Sequence, residues 1–293
     1  MTSTTTYLIT GANRGIGRGL AEHILSRPNT TLIALVRNPE DETVKSLRSA
    51  AAETTAKLIV LPYDATDHHA AENAVAIAQR DHGIARLDVV IAHAGVLSWR
   101  GPTVETPPEE ILKHVTVNII GPLRLFRACL PLMQRGGKTD IEEKGGHEKG
   151  EPPAKFIAIS SAIGSTERLP QFHAAQTLPY GLSKAALNHT IRKLSVDYPD
   201  LIIELFTPGP VSTDLMRDFF SVLQAALKAN PQLADRFMPL DKVTEGLLAL
   251  IERQPRKLVV GFATGKERLY RGDAIGVKEA EEPRRGNGRP RSI

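Results

Sequence analysis

The chain has 293 residues, 41% of them apolar and 24% charged, which is ample for one well-packed α/β domain and short for two. Its formal charge of +4 is small for this length and gathers partly in a basic C-terminal stretch, so nucleic-acid binding is not expected. A single cysteine, Cys129, excludes an intrachain disulfide, and its place in an apolar run marks it for packing.

Short apolar runs alternate with amphipathic stretches from the start. Tyr7–Thr10, Thr31–Val36, Lys57–Leu61, Leu87–Ala92, Lys155–Ser160, Leu201–Phe206 and Arg256–Val260 each read as a strand. They are β-branched and nearly continuous in apolar character, as strands covered on both faces should be. Helical segments such as Gly17–Ser26 and Ala70–Asp81 lie between them. Strand–helix alternation of this kind predicts a single-domain α/β fold, a Rossmann-like doubly wound parallel sheet of about seven strands with helices on both faces. The domain is expected to span residues 5–277. Within it, 135–153 is a charged, Gly-rich loop insertion, and 278–293 is a disordered basic tail. The Thr-rich start has no basic region followed by a long apolar one, and no run reaches the roughly 18 apolar residues of a membrane span. A cytoplasmic protein with no membrane partner is expected.

Chemistry enters where the first strand ends, in Thr10-Gly-Ala-Asn-Arg-Gly-Ile-Gly17. A helix N-terminus offers unpaired N–H groups and a partial positive charge, and glycines let the backbone approach a phosphate. Gly11, Asn13, Arg14, Gly15, Ile16 and Gly17 are therefore candidate residues for binding a dinucleotide. An acid at the end of the second strand would hold the ribose hydroxyls of NAD. Here the strand ends in Arg37-Asn38, and with Arg14 the guanidinium of Arg37 favours the 2′-phosphate of NADP(H). Further on, Tyr180 and Lys184 stand four residues apart at the head of a helix, so both point into one cleft. A cation beside the phenol favours phenolate and brings the tyrosine toward acid–base work. At an earlier strand end, Ser161 is preferred over its neighbour Ser160 as the hydroxyl that would meet a substrate carbonyl. No pair of histidines has convincing metal-ligand spacing, so no metal is expected.

Taken together and in order, Thr10-Gly-x-x-x-Gly-x-Gly17, Asp64, Ala94-Gly95, Asn118, Ser161, Tyr180-x-x-x-Lys184 and Pro208-Gly209 resemble the short-chain dehydrogenases/reductases over about residues 5–265. The resemblance implies that Tyr180 protonates a carbonyl oxygen while hydride arrives from the nicotinamide. Lys184 would lower the tyrosine pKa and hold the nicotinamide ribose. It also implies that Ser161 orients the carbonyl, that Asn118 supports a water-linked proton relay with Lys184, and that Asp64 meets the adenine. Ala92, His93, Ala94, Gly95, Pro208, Gly209, Val211 and Thr213 would complete the cofactor site. Two departures stand out. The family usually reads Asn-Asn-Ala-Gly where this chain reads Ala92-His93-Ala94-Gly95, which puts His93 in the structural place of the second asparagine. The gap from Ser161 to Tyr180 is also longer than usual, and residues 168–179 are expected to form part of a substrate rim.

Within the family, the opening 7–20, the pair Arg37-Asn38 and the segment 87–92 are similar to the norsolorinic acid ketoreductases, fungal enzymes of aromatic polyketide metabolism. The apolar stretch 215–223 could cover a hydrophobic substrate. The expected reaction is NADPH-dependent reduction of a ketone on an aromatic or hydrophobic small molecule to a secondary alcohol. A general carbonyl or aldehyde reductase of the C-factor or sniffer type is the alternative, and a dinucleotide-binding sensor or scaffold without turnover is a third reading. Relatives pair through the helices carrying Asn118 and Tyr180, which implies a homodimer or homotetramer.

Overall fold

A computed structural model describes residues 4–134, 152–209, 211, 238–253, 261–264 and 268–271. Thr213, the apolar stretch 215–223, the expected strand at 256–260, most of the charged loop and the basic tail lie outside the described residues.

The strands are β1 (Thr5–Thr10), β2 (Thr30–Val36), β3 (Lys57–Pro62), β4 (Val89–Ala92), β5 (Lys155–Ile159), β6 (Ile202–Thr207), β7 (Gly261–Thr264) and β8 (Arg268–Arg271). They form one sheet in the order β3-β2-β1-β4-β5-β6-β7-β8. The first seven run parallel, and β8 returns antiparallel along β7. The eighth strand exceeds the expectation of about seven. A short edge strand pairs on one side only and needs no continuous apolar run, so Arg268-Leu-Tyr-Arg271 carries no such signal.

Every residue of β2 is buried, because both sheet faces are covered. Alternation sorts the side chains. In β1, Leu8 packs to one face, and Tyr7 and Ile9 pack to the other. Helices α1 (Gly15–Leu25), α2 (Glu42–Ala52) and α7 (Leu240–Glu252) close one core, while α3 (Ala70–His82), α5 (Gly121–Gln134) and α6 (Leu178–Asp197) close the second. Phe156, fully buried in β5, meets the ring of Phe126 edge-on at 5.1 Å, and Phe126 meets Tyr198 at 5.0 Å. Each such pair adds about 0.5–1.5 kcal/mol beyond area burial.

Helix α4 (Pro108–Val115) runs through a π turn, Thr116–Ile120, into α5. An 18-residue window of this continuous helix reaches a mean hydropathy of 1.3. Leu125, Phe126, Cys129, Leu132 and Met133 on it are buried against the sheet, which is the pattern of a core helix. From β1 the chain builds outward through β2 and β3, then crosses to β4 on the other side. That reversal opens a crevice at the carboxyl ends of β1 and β4, where open α/β sheets take their ligands.

Candidate active site

The turn leaving β1 is tight because glycine makes it so. Gly11 and Gly15 have φ of 69° and 54°, a region that L side chains rarely adopt. At Gly17 a Cβ would lie 2.1 Å from the Gly11 carbonyl oxygen and 2.6 Å from His93 Nδ1, so only glycine lets α1 start there. The first turn of α1 carries no acidic residue, and its free N–H groups and positive end face the crevice. A backbone cradle that a side chain would fill, at the positive end of a helix, fits a dinucleotide diphosphate. Asn13 donates from Nδ2 to Thr43 Oγ1 at 2.8 Å and ties this loop to α2, while Ile16 packs against the α1–α2 core. Arg18 reinforces the tie through Thr43 O at 2.8 Å and Ser46 Oγ at 3.1 Å. Sequence reasoning missed Arg18, since nothing in its spacing shows the contact.

Arg37 and Asn38 are exposed at the end of β2, and Asn38 Oδ1 accepts the Glu40 N–H at 3.0 Å to turn the chain. Arg14, at the N-cap of α1, is exposed as well. The nearest aspartate downstream, Asp41, is committed elsewhere. Its Oδ1 caps α2 by accepting from the N–H and Oγ1 of Thr43, at 2.9 and 2.5 Å. At the end of β3, Asp64 accepts the Thr66 N–H at 2.9 Å and the Thr66 hydroxyl at 2.8 Å. Those bonds and the charge of Arg37 hold its carboxyl below the usual aspartate range. Two guanidinium groups with no carboxylate at the strand end suit a phosphate better than a ribose diol.

At the end of β4, Thr10 Oγ1 accepts the N–H groups of both His93 and Ala94 at 3.0 Å, stapling this loop to β1. The His93 ring lies behind the glycine turn, with Nδ1 3.3 Å from the Thr10 carbonyl oxygen. Burial first, then the charges of Lys184 and Arg14, push its pKa down to about 4, so the imidazole is neutral at pH 7. Gly95 comes next, and a Cβ there would be 3.2 Å from Asn118 Oδ1 and 3.8 Å from Lys184 Nζ. After β6, Pro208 and Gly209 (φ 77°) lead to Val211, which bridges to Met238.

Asn118 is fully buried within the π turn, a local widening of the helix often found at functional sites. Its Oδ1 accepts the Val96 N–H at 2.8 Å, and its Nδ2 donates to Val96 O at 3.0 Å and to Ser183 Oγ at 2.9 Å. The side chain is thus a staple between the β4 loop and α6. Ser183 passes the connection on by donating to Tyr180 O at 2.7 Å, a link that the sequence reading did not single out.

The two adjacent serines separate cleanly. Ser160 is buried and donates to Asn188 Oδ1 at 2.5 Å, into the packing of α6. Ser161 opens the 3-10 turn Ala162–Gly164 and shares a hydrogen bond with Tyr180. Gly164 makes this possible: a Cβ on it would be 2.8 Å from the Lys184 carbonyl carbon and 2.9 Å from the Ala185 nitrogen. The turn therefore rests directly on the α6 backbone and brings Ser161 to Tyr180.

Tyr180 is 8% exposed and Lys184 5%. The ammonium of Lys184 stands 5.6 Å from the centre of the Tyr180 ring and donates to Ile159 O at 2.8 Å. Burial pushes the phenol up to about 12 and the Ser161 hydrogen bond pulls the other way. Burial also pushes Lys184 down to about 8. The expected lowering of the tyrosine pKa by Lys184 is not seen at this site: loss of water around the phenolate dominates, and the Ser161 hydrogen bond alone opposes it. The longer gap after Ser161 forms a 3-10 stretch, Leu169–Ala175, and Gly101 N–H donates to Gln176 O at 3.0 Å. This ties the stretch to the loop after β4. Among the described residues no cluster of histidine, cysteine and acidic groups can hold a metal.

The pattern of the short chain dehydrogenase family matches residues 5–223. The chain belongs to this family. It is accordingly an oxidoreductase. It is 36% identical over 213 residues to a protein of Penicillium aethiopicum named "Short chain dehydrogenase gsfK", covering 73% of this chain and 78% of that one. With the "Norsolorinic acid ketoreductase" of Aspergillus parasiticus it shares 32% identity over 211 residues, covering 72% of each. Among solved structures, the NADPH-bound carbonyl reductase from chicken fatty liver superposes with a TM-score of 0.73 at 25% identity, over 92% of this chain and 99% of that one. Carbonyl reductase Sniffer of D. melanogaster gives 0.70 at 26% identity, over 89% and 97%.

Proposed function

We propose that this family member is an NADPH-dependent ketoreductase that converts a ketone on an aromatic or hydrophobic, polyketide-like metabolite to a secondary alcohol. The carrying observation is the convergence of Ser161, Tyr180 and Lys184 beside a glycine cradle flanked by Arg14 and Arg37. Names borne by the relatives, norsolorinic acid ketoreductase and carbonyl reductase, support the same direction.

The residues act in a definite order of roles. The glycine turn and the start of α1 would bind the diphosphate, with Ala92, Ala94, Gly95, Pro208, Gly209 and Val211 around the rest of the cofactor. Arg37 and Arg14 take the 2′-phosphate, and Asp64 takes the adenine. NADPH bound there would supply hydride for the carbonyl carbon. Ser161 Oγ–H orients the carbonyl oxygen, and Tyr180 Oη gives it the proton. A phenol held near pKa 12 stays protonated at neutral pH, which is the state that reduction requires. Lys184, still largely charged below its pKa of about 8, would hold the nicotinamide ribose. The Asn118 side chain is engaged by Val96 and Ser183, and the residue would support a water-linked proton relay with Lys184.

Leu112, Leu123, Leu182 and Val196 on the helices carrying Asn118 and Tyr180 are exposed, which supports pairing of two or four copies there. The protein is read as a single cytoplasmic catalytic domain over residues 5–277. A purified sample should reduce bulky aromatic ketones with NADPH. Turnover of small aliphatic aldehydes alone would transfer the assignment to a general carbonyl reductase. Cofactor binding with no turnover of either class would indicate a sensor.

A further inference from the structure

His93 departs from the family pattern inside the cofactor cradle with a titratable side chain, and its surroundings differ from those of a packing residue. Its ring occupies the room behind Gly11 and Gly17: a Cβ on these would lie 3.2 and 2.6 Å from Nδ1. Nδ1 faces the Thr10 carbonyl oxygen at 3.3 Å, and a carbonyl can only accept, so Nδ1 carries the hydrogen and Nε2 keeps the lone pair. The Gly11 backbone is the ring's second hydrogen-bond partner, and the residue keeps part of its surface exposed. The charged groups acting on the ring are both cations, Lys184 from α6 and Arg14 from the glycine loop. No acid stands in the first turn of α1 to offset them, and the other close neighbours, Thr10 and Gly11, act through the backbone.

Resting on the dinucleotide-binding reading above, we propose that His93 is a positioning residue that makes binding of the cofactor phosphates proton-linked. Its imidazole is neutral in the free protein and takes up a proton at Nε2 as the diphosphate docks on the glycine turn. The physical reason is the reversal of local charge. In the free site burial weighs most against imidazolium, and the two cations and the positive end of α1 add to it, which accounts for a pKa near 4. A diphosphate on the same turn brings negative charges that favour imidazolium, so ligand binding and protonation strengthen each other. An asparagine in this place can hold the turn but cannot take up the proton. The histidine would thus tighten cofactor binding as pH falls.

The test is isothermal calorimetry of NADP⁺ binding at pH 6, in two buffers of different ionisation enthalpy, on the native protein and on His93→Asn. The native protein should take up a fraction of a proton, at most about one, beyond the uptake of the variant; any contribution from the 2′-phosphate is common to both. Its affinity should also strengthen toward acid more steeply than the variant's, by at most about tenfold per pH unit. The His93 Cε1 proton, assigned by its loss in the variant, should titrate at higher pH in the bound protein than in the free one. Equal proton uptake by the two proteins, or an unmoved titration, overturns the proposal while leaving dinucleotide binding intact. Failure of the native protein to bind NADP⁺ at any pH overturns the dinucleotide reading and this proposal with it.

Discussion

The neighbouring serines make the sharpest test of the site. Ser161→Ala removes the hydroxyl that bonds Tyr180 and leaves most packing unchanged, since its cap on Ile163 N–H is long, at 3.4 Å. If that hydroxyl steadies the charge developing on the carbonyl oxygen, its loss should lower kcat by about 10²–10³-fold, or about 3–4 kcal/mol of transition-state stabilisation. The stability cost should stay near 0.5 kcal/mol, the lower end for a net hydrogen bond. Ser160→Ala should do the reverse. It breaks the 2.5 Å bond to Asn188 and leaves that partly buried amide oxygen without its donor. The cost is about 1–2 kcal/mol, which for a domain of this size is a fall in Tm of roughly 2–8 °C. Turnover should stay within a few-fold of native. The assays are steady-state ketone reduction with NADPH and thermal unfolding of the same preparations. An inactive Ser160→Ala beside an active Ser161→Ala would refute the assignment and the geometry behind it.

Arg37→Ala should weaken NADPH binding by about tenfold or more, and NADH binding little, because only the 2′-phosphate loses a charge-assisted partner; nicotinamide fluorescence titration reads both, and equal losses would count against the phosphate pocket. Burial sets Lys184 near pKa 8, so its charge is present below that pH and lost above it. The kcat/KM for NADPH should therefore decline as pH rises through about 8, and in Lys184→Arg the decline should move upward, since guanidinium stays charged. A break at the same pH in both proteins would assign it to another group. Gly164→Ala would force a Cβ to 2.8 Å from the Lys184 carbonyl carbon. Overpacking against backbone costs about 1–3 kcal/mol and displaces the Ser161 turn, so Tm and kcat should fall together; unchanged values in both would show that the turn does not depend on that contact.

Much was legible in the chain because it rests on local rules. Continuous β-branched runs announced strands covered on both faces, and the glycines at 11, 15 and 17 announced a turn that no side chain permits. The i, i+4 spacing put Tyr180 and Lys184 on one helical face, and both are buried together in the structure. Family membership followed from the order of these motifs. Other features depended on distant parts of the chain. Ser160 and Ser161 are indistinguishable as letters; their roles diverge because they meet α6 at different points along it, one at Asn188 and one at Tyr180. The commitment of the Asn118 amide to Val96 and Ser183 came only with the π turn that faces it to the β4 loop. The antiparallel edge strand, Arg268–Arg271, lacks the continuous apolar run that marks a strand in sequence. Protonation went furthest from the sequence reading. Spacing placed a cation beside a phenol, but how far water is excluded from each is a property of the whole packed crevice, and that exclusion holds Tyr180 protonated and His93 neutral.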